Sequence, residues 1–252
     1  MNSPPFPKIT RSWRLFLESE QKENGKTATR SLPIDEQQAM DRLTDDILSE
    51  MLLFFSTIEV VAFGQTSQYH QVLCLNHTSR RVYRLLFIHL GRDTDLVVAI
   101  LRRTRSVIGG SVAMQCGDNS AMWRTENLNI VAPLGALRLW AWLMFVLGYR
   151  RADSSVVRGP AINAHCLFQR EGRSVTVTES SVPHILPVIL SAPCTCAMTY
   201  VSTSSIVALY PRMSFDGKCV SRTEMPKELA FIDHRSRGVV FHESTSSWTE
   251  PC

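Results

Sequence analysis

Val107-Ile108-Gly109-Gly110-Ser111, followed after a polar interval by Asn127-Leu128-Asn129-Ile130-Val131-Ala132-Pro133, carries two strand signals with a glycine turn between them. The first run reads as a short strand entering a tight glycine turn, with Val112, Ala113 and Met114 opening a helix. The second alternates polar and apolar side chains, the period of a strand with one covered face. From Leu134 to Leu147 the chain is apolar on nearly every side, which predicts a buried helix closed by Gly148. Ala164 to Gln169 and Ser174 to Glu179 then read as strands joined by Arg170-Glu171-Gly172-Arg173, a hairpin signal. This order predicts an α/β domain with a small mixed sheet over residues 106–216.

Outward from this core the pattern weakens toward the C-terminus and becomes helical toward the N-terminus. Ser181 to Leu190 and Thr195 to Val201 read as helices, with Pro183 in a first turn and Pro187 kinking or dividing the first. Ser205 to Tyr210 reads as a strand, and residues 217–252 as an irregular tail with one apolar knot at Val239-Val240-Phe241. Upstream, Ser79 to Leu90 and Thr94 to Arg103 form linking helices within residues 77–105. Residues 40–76 hold three short helices. The first places Leu43, Ile47, Leu48, Met51, Leu52 and Phe55 at amphipathic spacing, with Thr44 as N-cap and Asp45 and Asp46 at the positive end of the dipole. Thr57 is the expected cap of the second and Ser67 that of the third, which ends near Leu75. Residues 1–39, proline-rich and then polar, read as a disordered arm. The whole is of the α+β class.

The chain has 252 residues, 44% hydrophobic and 20% charged, enough to build a core and too apolar for general disorder. A net charge of +4 is too mild for a dedicated nucleic-acid binder, and the short cluster Arg102-Arg103-Thr104-Arg105 suits a solvated helix end. Tyr83, Trp123, Trp140, Trp142 and Trp248 are too irregularly spaced for a base-stacking platform. Apolar runs at 51–64 and 134–148 are broken by Glu59 and Arg138 and fall short of the ~20 residues of a membrane span. With no signal-peptide pattern, a soluble cytoplasmic or nuclear protein is expected. The seven cysteines are scattered and form no C-x-x-C pair, so free thiols are expected and no metal site is assigned. Cys194 and Cys196 in particular are too close in sequence to share a disulfide easily. The histidines form no H-x-x-x-H pattern either, and no cofactor is expected.

Two motifs resemble known families. Leu43-Thr44-Asp45-Asp46-Ile47-Leu48, then Met51-Leu52-Leu53-Phe54-Phe55, then Val60-Val61-Ala62-Phe63-Gly64-Gln65-Thr66-Ser67-Gln68-Tyr69-His70, resembles an F-box over residues 41–75. It departs from that pattern at Thr44, where the family usually has proline, and at Gln68, where a basic residue is usual. The resemblance implies binding to the Skp adaptor of a cullin-RING ubiquitin ligase, with Leu43, Ile47, Leu48, Met51 and Leu52 on or beside the interface. Physically, three helices of this size cannot bury all their apolar side chains alone, so part of their surface seeks a partner or the rest of the chain.

Ile108-Gly109-Gly110-Ser111 with Asn127-Leu128-Asn129-Ile130 resembles the signature of the polymerase-beta-like nucleotidyltransferases. In that signature the glycine turn holds a triphosphate through backbone N–H groups and a hydroxyl, and two alternating carboxylates hold Mg²⁺. Gly109, Gly110 and Ser111 are therefore the candidate phosphate-binding residues. The carboxylate positions here are Asn127 and Asn129, whose neutral amides are poor ligands for a hard divalent ion, so catalysis should be lost or crippled. Glu126 faces the other side of the strand, and Asp118 follows the turn too closely. A third acidic position would be expected on a strand such as Ser174 to Thr178, which offers Thr176 and Thr178 with Glu179 at its edge. Over residues 40–218 the arrangement also looks like a large family of uncharacterised proteins of mushroom-forming fungi, which implies no activity.

Three functions follow as expectations. The first is a non-enzymatic F-box-type substrate receptor, whose α/β domain is a degenerate nucleotidyltransferase-like core that presents a recognition surface to an unknown protein substrate. The second is a nucleotide-binding or residual nucleotidyltransferase-like protein using the Gly-Gly-Ser turn, and the third a structural relic of both modules.

Overall fold

The computed structural model describes residues 45–117, 127–153, 159–221 and 239–242. The expected arm and the positions Leu43, Thr44, Asp118, Trp123, Glu126, His234, Trp248 and Cys252 lie outside the described residues.

Helix α1 (Asp45–Leu52) begins on Asp45 and Asp46, as the dipole favours. Helix α2 (Thr57–Gly64) is capped one residue earlier than the expected Thr57. The Ser56 hydroxyl accepts the Glu59 N–H, while the Ser56 N–H donates to the Glu59 carboxylate at 2.7 Å, and this reciprocal pair fixes the start of the helix. Helix α3 (Gln68–Leu90) starts on the expected cap, with Ser67 Oγ accepting the His70 N–H at 3.1 Å.

The expected break between Leu75 and Ser79 does not occur. Asn76, His77, Thr78 and Ser79 are polar but include no glycine or proline, and the buried stripe of α3 resumes at Val82, so one helix runs through. Its first half packs Leu73 and Cys74 against Leu48, Leu52 and Val60. Its second half puts Val82, Leu85, Leu86 and Leu90 into the main core. The helical module is therefore joined to the sheet domain by a rigid element. Helix α4 (Thr94–Thr104) follows and ends at Arg105, with Arg102 and Arg103 in its last turn, where cations favour the negative end of the dipole.

Among the described residues the main sheet has seven strands: β1 (Val107–Gly109), β2 (Asn127–Ala132), β3 (Arg150–Asp153), β4 (Ile162–Arg170), β5 (Arg173–Ser180), β6 (Thr199–Val201) and β7 (Ile206–Ala208). Their order is β3-β4-β5-β2-β1-β6-β7. The sheet is mixed: β2 pairs with β1 antiparallel and with β5 parallel. The hairpin β4–β5 turns through Glu171 and Gly172 at φ 51° and 77°, the two left-handed residues that match the strand twist.

Leu128, Ile130, Val175 and Val177 turn to one face of the sheet, which is covered by α3, α4, helix α5 (Gly110–Gly117) and helix α6 (Leu137–Val146). On the opposite face Val107 and Val131 meet Ile189 of helix α7 (Leu186–Leu190). Helix α6 is shorter than expected and not buried all round. Trp140, Leu143 and Met144 are buried, whereas Phe145 is 61% exposed, because a helix resting on a sheet covers only one stripe. Gly148 does close it, at φ 78°.

Two further helical expectations are corrected. The segment from Ser181 is irregular until Leu186, and Pro187 sits in the first turn of α7, where its missing N–H costs nothing, instead of kinking a longer helix. Thr195 to Val201 is a single 3₁₀ turn (Thr195–Ala197) followed by strand β6, drawn into the sheet by pairing with β1 through Ile108 and Gly109. Beyond Pro211 the chain is not wholly irregular: helix α8 (Pro211–Phe215) leads to β8 (Lys218–Val220), which pairs in parallel with β9 (Val240–His242). The apolar knot thus supplies a strand.

Glu179 is buried yet fully used. Its Oε1 accepts the N–H groups of Gly135 and Leu137, both at 2.9 Å, and its Oε2 accepts from Asn163 at 2.6 Å. A carboxylate at the start of α6 meets the positive end of that helix. Glu179→Ala is expected to destabilise the protein by about 2–3 kcal/mol, because it orphans these donors. Urea unfolding measures it, and a loss under about 0.5 kcal/mol would show that water replaces the carboxylate freely.

Candidate functional site

The glycine turn and the alternating strand meet. Gly109 on β1 pairs with Asn129 on β2, which pairs with Thr176 on β5. Gly110 opens α5 at φ 67°, and a Cβ there would lie 2.5 Å from Asn129 Nδ2, so glycine is required both by the backbone and by the neighbour. Ser111 follows, half-buried.

Asn127, Asn129, Ser174 and Thr176 share the sheet face opposite the main core. Their side chains form one neutral network. Asn127 Nδ2 donates to Asn129 Oδ1 at 2.9 Å, and Asn127 Oδ1 accepts from Ser174 Oγ at 3.1 Å and Thr176 Oγ1 at 3.2 Å. Where two carboxylates would attract a divalent ion, the amides and hydroxyls instead satisfy one another. The strand singled out for a third acidic position does lie beside the two asparagines, but with hydroxyls. Glu179 is spent on α6, on the other face, and does not join the network.

The other candidate residues lie on the helical module. Leu48 and Leu52 fill its interior, each 1% exposed, Met51 is half-buried, and Ile47 is 49% exposed. The exposed large apolar side chains here, among the described residues, are Ile47, Leu53, Phe54, Ile58, Val61, Val72 and Leu75, of which Phe54 is 86% exposed. Between this module and the sheet domain lies a cleft of about 320 Å³, lined by Val60, Val61, Cys74 and Leu75 on one side and by Ser204, Ser205 and Ile206 on the other. Thr57 Oγ1 donates to the Gly117 carbonyl beside it. No periodicity announces this cleft, because it forms between distant segments.

The thiol expectation is corrected in part. Cys74, Cys116, Cys166 and Cys194 are free and buried, but Cys196 and Cys219 are joined in a disulfide across 23 residues. Sequence spacing misses this pair because β8 is brought to the 3₁₀ turn only by the fold. Burial pushes the Cys116 thiol up to about 12, so it is no nucleophile at neutral pH. Among the described residues no helix is long and apolar enough to cross a membrane. No family model, curated protein or solved structure matches the chain.

Proposed function

We propose that the chain is a non-enzymatic interaction protein whose first three helices act as an F-box-like module, docking the Skp adaptor of a cullin-RING ligase in the cytoplasm or nucleus. The observation that carries this reading is the exposure of Ile47, Leu53, Phe54 and Ile58 on α1, α2 and their junction, in a module that packs its own small core of Leu48, Leu52, Val60, Leu73 and Cys74. A module that has already closed its core and still presents a bare phenylalanine offers the kind of anchor that interfaces bury. Leu48 and Leu52 then serve by holding this surface in shape. The sheet domain, attached through α3, would present the substrate. A neutral network at Asn127, Asn129, Ser174 and Thr176 agrees with a domain that recognises without catalysing.

The test separates surface from core. Phe54→Asp with Ile58→Asp should lower adaptor recovery in co-purification by a hundredfold or more, at about 2 kcal/mol per anchor, with the unfolding temperature unchanged because both side chains are exposed. Unchanged recovery from a folded variant would sink the proposal. Charges at Leu48 would not serve, since they would unfold the module.

A second reading, nucleotide binding at Gly109, Gly110 and Ser111, is favoured by the packing of Gly110 against Asn129 beside Thr176. This reading is supported by the glycine turn lying beside the asparagine strand, with amides at the positions where the resemblance implies carboxylates.

A further inference from the structure

We propose that Cys194, Cys196 and Cys219, when reduced, hold one zinc ion through three thiolates. Their sulfurs lie within 4.8 Å of one another, and Cys194 Sγ is 3.3 Å from Cys196 Sγ. Zinc–sulfur bonds of about 2.3 Å in tetrahedral geometry set sulfurs about 3.8 Å apart, so small rotations of the side chains suffice. All three residues are buried, at 2%, 0% and 0% exposure, among Met114, Val239, Ala197 and Phe241. This apolar shell disfavours free thiolates and favours an ion that offsets most of their charge.

The backbone suits the same site, since the N–H groups of Cys196 and Ala197 are hydrogen-bonded to the Cys194 sulfur. The turn Cys194-Thr195-Cys196-Ala197 thus wraps its N–H groups toward a sulfur, with two ligands on the turn and the third arriving on β8.

The disulfide Cys196–Cys219 is the oxidised, metal-free form of the same cluster. A dithiol reductant supplies two electrons and two protons, giving two thiols and its own cyclic disulfide. Three thiols then bind Zn²⁺ and release three protons, leaving a complex of charge −1 with a fourth position for water. The site would pin β8 and β9 to the segment leading into β6 and to Met114 of α5. Both forms tie β8 to the turn, but only the metal form uses Cys194.

The experiment uses the full chain, reduced with a phosphine and handled without oxygen, with Co²⁺ and Zn²⁺ as probes. One equivalent of Co²⁺ should give sulfur-to-metal charge-transfer absorption, and Zn²⁺ should displace it. Binding should weaken up to about a thousandfold per pH unit of acidification, as three protons compete. Cys194→Ser should weaken Zn²⁺ affinity at least a hundredfold, while leaving the Cys196–Cys219 disulfide able to form in air. Cys166→Ser, a change in the main core, should bind metal as the parent does. No binding by reduced parent protein with all thiols titratable after denaturation would overturn the proposal, as would full affinity in Cys194→Ser. If Cys194→Ser fails to fold, the parent decides alone: metal uptake by the reduced form and none by the form lighter by two hydrogens supports it, and equal uptake by both overturns it.

Discussion

Trp140→Ala should lower the unfolding free energy by about 3–5 kcal/mol, the cost of emptying a large aromatic site in a close-packed core. Trp140 is fully buried, the largest such side chain among the described residues, and stands on α6 among residues of the main core. It is anchored at its polar edge as well. Nε1 donates to Ser106 Oγ at 3.0 Å, and that hydroxyl lies 2.6 Å from Thr104 Oγ1. The substitution therefore opens a cavity and also takes away a partner of a buried hydroxyl. For a domain of this size, the melting temperature should fall by roughly 10 °C. Trp140→Phe keeps most of the volume and loses the N–H, so its cost should be near 1–2 kcal/mol. A loss below about 1 kcal/mol for the alanine variant would mean that α6 is not seated on the sheet as described.

The parts of this fold that were legible in the sequence are those governed by nearest neighbours. The alternation of Asn127, Leu128, Asn129 and Ile130 gave a strand because each apolar side chain reaches the core and each polar one faces away. Glu171-Gly172 gave a hairpin because a two-residue turn needs left-handed backbone at both positions. Failures came where distant segments decide. Thr199, Tyr200 and Val201 form a strand only because β1 offers its edge, and Cys196 meets Cys219 only because β8 folds back onto the turn. Polar residues at 76–79 looked like a boundary, yet helix propagation needs no apolar residue and stops only at a terminator. Within the candidate site, the sequence placed Gly110, the two asparagines and the 174–178 strand correctly as local features. That Thr176 and Ser174 donate to Asn127 could be known only from the parallel register.

That register makes Asn127→Asp together with Asn129→Asp a decisive change. The two side chains touch, with Asn127 Nδ2 and Asn129 Oδ1 2.9 Å apart. Carboxylates in their place lose the bridging donor and face each other on one strand face. Two like charges about 4 Å apart at a half-buried site repel by about 4 kcal/mol. Near neutral pH the penalty is capped at a similar size, because one carboxyl can take up a proton at about 1.4 kcal/mol per pK unit of upward shift. A raised folded-state pKa means that the penalty is present above the unfolded value and fades as the pH falls through the folded one, so the double variant should regain stability in acid. Ser174 and Thr176 can still donate to a carboxylate, which leaves the repulsion as the main cost. Magnesium is the discriminating addition. If the network occupies a former cation site, millimolar Mg²⁺ should raise the melting temperature of the double variant and leave the parent unchanged, since only the variant offers anionic oxygens to a hard ion. If Mg²⁺ shifts neither, then the four side chains are a neutral clamp between β2 and β5, and the nucleotide reading of the glycine turn falls with it.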